Sequence, residues 1–80
     1  MKSYQEQIME SAMNGQSIQG GVLEAMRDCF SIQRLQEERK KIMNLWADGK
    51  RTIREILEAP PMKSLDSEIA TILNKYDIEP

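Results

Sequence analysis

The hydrophobic residues of this chain recur every three or four positions, and no segment shows the strict alternation that is typical of a half-buried strand. In residues 4–13 the apolar side chains share one helical face. Ser3 and Glu6 precede that face with the spacing of a capping box, and Asn14 with Gly15 supplies a left-handed stop. The pattern therefore predicts a first helix over residues 4–13.

A glycine-rich stretch, GQSIQGG, forms a predicted connection over residues 15–21. The apolar stripe that follows shifts its phase once, which indicates a break near Ser31. Whether residues 22–47 form one helix or two stays open. The polar segment QRLQEERKK within them is interpreted as a solvated helix face, and a hairpin arm is the alternative. The apolar stripe consists of Val22, Met26, Cys29 and Phe30, then Ile32, Leu35, Ile42, Leu45 and Trp46.

Two further helices are predicted in the last third of the chain. Asp48-Gly49 ends the long segment by the same left-handed geometry, and Thr52 with Glu55 repeats the capping-box spacing. A short helix over residues 53–58 should then turn Ile53, Ile56 and Leu57 inward. Pro60 and Pro61 forbid its continuation. A final helix is expected to start at Ser64 as its cap, with a buried stripe of Leu65, Ile69, Ile72, Leu73 and Tyr76.

These elements predict an all-α fold, a small bundle of four or five helices with short connections, in a single domain over residues 1–80. Eighty residues can bury only a small core, so such domains usually need a disulfide, a metal or a partner chain for stability. Cys29 is the only cysteine and the chain has no histidine, which excludes an internal disulfide and the usual zinc, haem and iron ligands. The remaining source of additional stability is self-association as a homo-oligomer or binding to another protein.

The chain carries no recognisable catalytic or cofactor-binding motif, and we expect no enzymatic activity, no cofactor and no metal. The run GKRT departs from a phosphate-binding loop, because Asn44 stands where its first glycine should be and Arg51 where its serine or threonine should be. Cys29 lacks a histidine to activate it and is interpreted as a small buried hydrophobic residue. The carboxylates are scattered over solvated faces.

Charge and hydropathy bear on location and partners. No apolar run approaches the length of a membrane span and the N-terminus does not resemble a signal peptide, so we expect a cytoplasmic protein without a membrane partner. The net charge is −2, but residues 31–63 carry eight basic and five acidic side chains. An acidic partner would therefore be expected near this middle segment.

Six methionines are many for a chain of this length. Met9, Met13 and Met26 lie on predicted apolar faces, and core packing is their first interpretation. The alternative is an adaptable surface for a partner protein, because methionine side chains fit irregular surfaces. Trp46, the largest side chain, is expected in the core.

Residues 42–76 resemble a helix-turn-helix domain. The run IMNLWADGKRTIREI is similar to the first-helix end, glycine turn and second helix of recombinase-type and small-regulator DNA-binding domains. The resemblance covers about 35 residues, within a helix-turn-helix-like part over residues 31–80 that follows N-terminal helices in residues 1–30. It implies a bracing helix over 33–47, a second helix over 53–58 and a reading helix over 65–76 in the major groove. The implied phosphate contacts are Lys50, Arg51, Arg54 and Lys63, and the implied base contacts are Lys63, Ser64, Ser67 and Thr71.

Two hypotheses for the function follow. The first is a small non-enzymatic adaptor or inhibitor of bacterial or phage type that binds another protein, with the three methionines in its partner face and a homodimer as one form. The second is a helix-turn-helix transcriptional regulator that binds DNA through residues 50–71. The same basic residues would serve an acidic protein partner in the first hypothesis.

Overall fold

The computed structural model of the chain describes residues 2–14 and 21–80. Within these ranges it has no strand, which confirms the predicted all-helical fold. Gly21 begins the second helix, and the remainder of the predicted connection, residues 15–20, lies outside the described residues. The four helices are α1 (Tyr4–Met13), α2 (Gly21–Asp48), α3 (Ile53–Glu58) and α4 (Pro60–Asn74).

The starts of α1 and α3 follow the predicted caps. The Ser3 hydroxyl accepts a hydrogen bond from the Glu6 backbone N–H at 3.1 Å, and the Thr52 hydroxyl accepts one from the Glu55 N–H at the same distance. The Glu55 side chain completes its box by accepting from the Thr52 backbone. These bonds satisfy N–H groups that a helix start leaves free, and the predicted bounds of both helices are confirmed. At the end of α1, Asn14 is right-handed rather than left-handed, and Gly15 lies outside the described residues.

The segment for which the sequence allows one helix or two is a single helix of 28 residues. No break occurs near Ser31, because the buried residues Ala25, Asp28, Ile32 and Leu35 keep one helical face across it, while most of the apolar stripe before Ser31 is exposed. At 1.5 Å per residue α2 is about 42 Å long. It therefore runs along nearly the whole 45 Å long axis of the molecule.

The end of α2 is a left-handed stop, but at Lys50 instead of Gly49. Lys50 has a φ of 62° and its N–H donates to the Ala47 carbonyl at 3.0 Å, while the Arg51 N–H donates to the Trp46 carbonyl at 3.3 Å. This is the hydrogen-bond pattern of a Schellman motif, which satisfies the last carbonyls of a helix. The helix therefore ends at Asp48 as predicted, but Lys50 rather than Gly49 adopts the left-handed conformation.

The start of α4 differs from the prediction. The helix begins at Pro60, four residues before Ser64, so Ser64 is an exposed residue within the helix and caps nothing. Proline ends α3 as expected, yet its fixed φ and missing N–H are well suited to the first turn of the next helix. Ala59, in extended conformation, is the only residue between the two helices.

Helix α2 packs against each of the other three helices. Its neighbour α4 is antiparallel to it, because Arg39 pairs with Asp66 at 2.9 Å near one end and Asp28 pairs with Lys75 at 2.9 Å near the other. Twelve residues form the buried core: Ile8, Ala12, Ala25, Ile32, Leu35, Ile56, Met62, Leu65, Ile69, Leu73, Tyr76 and Ile78.

Several residues predicted to face inward are exposed. Phe30 is 70% exposed, and Val22, Met26, Leu45 and Ile53 are exposed as well. In α2 the buried face instead carries Ala25, Asp28, Ile32 and Leu35. Cys29 and Trp46 are only half-buried, at the edge of the core.

Candidate protein-binding face

The first half of α2 exposes three large apolar side chains on one side. Leu23, Met26 and Phe30 follow the i, i+3, i+7 spacing of a helix face, and their exposed fractions are 80%, 45% and 70%. Phe30 and Ile32 are two residues apart, which separates them by about 200° around the helix axis. We call Leu23, Met26 and Phe30 the outward face, because they lie opposite the side of α2 that packs on the core.

Arg27 and Arg34 border the outward face. Both side chains are exposed, and together with Ser31 they line an open concavity of about 470 Å³ between the three apolar residues. Within the described part of the chain neither arginine has an ion pair, whereas Arg39 and Arg54 each have a carboxylate partner. The outward face is therefore an apolar surface with two free guanidinium groups at its edge.

A smaller depression joins the outward face to α1. It has a volume of about 220 Å³ and lies between Met9 of α1 and Met26, Cys29 and Phe30 of α2. Of the three methionines that were predicted to form a partner face, Met9 and Met26 thus lie together. Met13 is 77% exposed at the end of α1 and does not line this depression. The depression has the size and lining to accept one apolar side chain of a partner.

Cys29 contributes a half-buried thiol to the lining of this depression. Its thiol lies 3.6 Å from the Gln5 backbone carbonyl, to which it donates a hydrogen bond. Burial, and secondarily the negative charge of Asp28, raise the pKa of the Cys29 thiol above its ordinary value. The protonated thiol is therefore favoured, and Cys29 is half-buried rather than buried as predicted.

Sequence reasoning missed a polar cluster on the inward side of α2. Asp28 is only 7% exposed and accepts hydrogen bonds from the Tyr76 hydroxyl and, at 2.9 Å, from the Lys75 ammonium. Lys75 also reaches Glu24 at 2.8 Å. The sequence signal for this cluster is the position of Asp28, which precedes Ile32 by four residues and therefore shares its buried helix face.

This cluster changes the protonation behaviour of its members. Burial, followed by the hydrogen bond to Asp28, raises the pKa of the Tyr76 hydroxyl well above its ordinary value of 10.0. The hydrogen bonds to Glu24 and Asp28 raise the pKa of the Lys75 ammonium. Both side chains therefore hold their protons more strongly in the folded chain. The hydrogen bonds of the cluster connect the residues after α4 to α2.

The residues that the helix-turn-helix resemblance selected are all exposed. At the corner between α2 and α3, the Arg51 guanidinium lies 5.0 Å from the centre of the Trp46 ring and Arg54 pairs with Glu58 at 3.3 Å. On α4, the Thr71 hydroxyl donates to the Ser67 carbonyl at 2.9 Å. The exposed set comprises Lys50, Arg51, Arg54, Lys63, Ser64, Ser67 and Thr71.

The structure divides this set into two places. Ser67 and Thr71 line a groove between α4 and α2 together with Arg34, and Glu68 lies in the same groove. The corner residues Lys50, Arg51 and Arg54 do not line it. The seven residues consequently do not form one continuous basic surface in the described contacts.

Residues 2–14 and 21–80 contain no cluster of three or more side chains that could hold a metal ion. Among the helices of these ranges, none combines the length and the apolar character needed to cross a membrane.

No protein-family model, curated protein or solved structure matches this chain.

Proposed function

We propose that this chain is a non-enzymatic binding protein of the adaptor or inhibitor type, which acts by holding another protein chain against the outward face of α2. The observation that carries the proposal is the exposure of Leu23, Met26 and Phe30 side by side on a helix of a very small protein. Contiguous exposed apolar side chains commonly mark a protein–protein contact.

The composition of the surface supports the same conclusion. Aromatic residues, methionine and arginine are enriched at protein interfaces, and here Phe30 and Met26 lie between Arg27 and Arg34. An apolar centre with a charged border excludes water from the centre while the border orients the partner. We place this interaction in the cytoplasm, where a single thiol such as that of Cys29 stays reduced.

The geometry favours a helical partner. Anchors at i, i+3 and i+7 on one helix form the pattern by which amphipathic helices recognise one another. Beside them, the depression at Met9 offers a place for one inserted side chain. Methionine side chains on both sides of the depression can adjust to the shape of that side chain.

Affinity capture from the native cell tests the proposal with matched variants. The intact chain and a Phe30→Asp variant would be compared with an Ile53→Asp control, since Ile53 is similarly exposed, at 66%, but lies on α3. We expect the wild type and the control to retain the same bound protein and Phe30→Asp to lose it. Equal retention by all three chains, or by none, would contradict the proposal.

DNA binding is the second candidate, and its support is the exposure of the four basic residues Lys50, Arg51, Arg54 and Lys63. It ranks second because Glu58 already neutralises Arg54, and because α4 exposes Asp66 and Glu68 where a reading helix would approach phosphates. A duplex-DNA mobility shift at low salt that disappears on changing the corner cations to glutamate would favour it over protein binding. Nonspecific electrostatic binding should appear at low salt if this candidate is correct.

A further inference from the structure

Leu23 and Phe30 of the outward face belong to a longer stripe along α2, which does not include Met26. Its members are separated alternately by four and three residues, which is the spacing of a heptad seam between two helices. All of them are exposed. In order along the helix they are Leu23, Arg27, Phe30, Arg34, Glu37 and Lys41.

We propose that a second copy of this chain covers this stripe, with the two α2 helices antiparallel and a two-fold axis passing beside residue 32. The inference rests on the proposed function and names the chain that occupies the outward face. Residues equidistant from position 32 then face one another. Arg27, five residues before it, faces Glu37 of the second copy, and Phe30, two residues before it, faces Arg34 of the second copy.

Charge complementarity selects this arrangement. The two-fold axis repeats each contact, so the interface contains two Arg27–Glu37 ion pairs and two contacts of an Arg34 guanidinium with a Phe30 ring. Arginine over an aromatic ring is a favourable contact, more so once water is removed. The aliphatic stem of Lys41 covers Leu23 at each end and leaves its ammonium in water.

Other pairings of the same helices are less favourable. A parallel pair would place Arg27 against Arg27 and repel. Sliding the antiparallel pair by one heptad in one direction leaves Glu37 opposite a position that precedes α2. Sliding it in the other direction replaces the Arg27–Glu37 pairs with Arg34–Glu37 pairs, but it sets the apolar Leu23 against the carboxylate of Asp48 and leaves Arg27 opposite Asn44. The first slide therefore loses the ion pairs, and the second places an apolar side chain against a charged one.

The size of the chain gives an independent reason for a second copy. A domain of 80 residues has a small apolar core, and oligomerisation commonly adds to the stability of such domains. Helix α2 already spans the molecule, so pairing two copies along it needs no rearrangement of the core. Because the apolar centre is small, we expect a dimer that dissociates on dilution through the micromolar range.

Sedimentation equilibrium of the intact chain over a wide concentration range, with a charge-reversal cycle, tests this inference. Arg27→Glu and Glu37→Arg should each weaken the dimer about tenfold or more, because each places like charges opposite one another. The double variant restores opposite charges in reversed order and should recover most of the wild-type affinity. Lys63→Glu and Glu79→Arg, the same charge changes at exposed positions away from α2, should leave the dimer unchanged.

Circular dichroism of each variant establishes that the helices persist, which is expected because all four positions are exposed. If Arg27→Glu, Glu37→Arg and the double variant all dimerised with the wild-type affinity, the inferred antiparallel pairing would be overturned. A wild-type chain that stays monomeric at hundreds of micromolar would overturn the second copy as the occupant. In that second case the proposed function still stands if Phe30→Asp abolishes capture of a different protein, and it fails together with the inference if no capture depends on Phe30.

Discussion

The two sides of the first half of α2 carry side chains in the reverse of the usual order. On the inward side Asp28 is 7% exposed, whereas on the outward side Phe30 is 70% exposed. The carboxylate tolerates burial because Tyr76 and Lys75 donate hydrogen bonds to it. The described chain leaves most of the Phe30 side chain uncovered. The inward side is thus complete within one chain, while the outward side presents the kind of surface that another chain would complete.

The largest expected effect comes from truncating a side chain on each side and comparing the losses. Ile32 is fully buried, so Ile32→Ala should lower the free energy of unfolding by about 2–5 kcal/mol. Phe30→Ala should lower it by less than about 0.5 kcal/mol when the chain is dilute and monomeric, because the ring has few contacts to lose. Urea denaturation at low protein concentration measures both. Similar losses for the two variants would contradict the assignment of the sides.

An intermediate effect is expected from the polar cluster. Asp28→Ala removes the acceptor for Tyr76 and Lys75 and leaves the buried hydroxyl without its partner, which should cost about 1–3 kcal/mol. Glu24→Ala is the matched control, since Glu24 contacts the same lysine from a more exposed position. That control should cost less than about 1 kcal/mol. If the control proved as harmful as Asp28→Ala, burial of the carboxylate would not be what makes the cluster important.

The smallest effect concerns pH. The folded chain raises the pKa of Tyr76 and of Lys75 above their ordinary values of 10.0 and 10.5, so folding favours the protonated forms. This contribution to stability is fully present below pH 10 and is lost as the pH rises through the folded-state pKa values. Unfolding free energies measured between pH 8 and about pH 11.5 should therefore decline at the alkaline end.

Tyr76→Phe supplies the control for this pH dependence. The variant lacks the hydroxyl, so its stability should decline less steeply above pH 10 than that of the wild type. The wild type should also show one phenol whose ultraviolet titration coincides with unfolding. Identical pH profiles for the two chains would show that Tyr76 makes no contribution.

Local signals in the sequence were sufficient for much of the fold. Ser3 and Thr52 indicate the starts of α1 and α3, because each side chain bonds to a backbone N–H only three residues away. These contacts are local and can be read from the sequence spacing. The apolar stripe of α4 is also correct, although its start is not. Proline was interpreted only as a terminator, and its suitability for the first helical turn was overlooked at Pro60.

Only part of the candidate site could be predicted: Met9 and Met26 were expected as an alternative partner face, but Leu23 and Phe30 were not, because their exposure depends on contacts that are distant in sequence. Hydrophobicity alone placed Met26 and Phe30 inward and gave Asp28 no role. Asp28 is buried because Tyr76, 48 residues later, returns to it at the end of α4. Once that side of α2 faces the core, the more hydrophobic side must face outward. No residue near α2 in sequence carries this information.

The central claim is that the protein acts through the outward face. Side-chain footprinting tests this claim most directly. Hydroxyl-radical labelling of the chain in native-cell extract would be compared with labelling of the dilute purified chain. We predict that Leu23 and Phe30 lose reactivity in the extract, while Leu45 and Ile53, which are also exposed, keep theirs. Unchanged reactivity of all four side chains would contradict the claim.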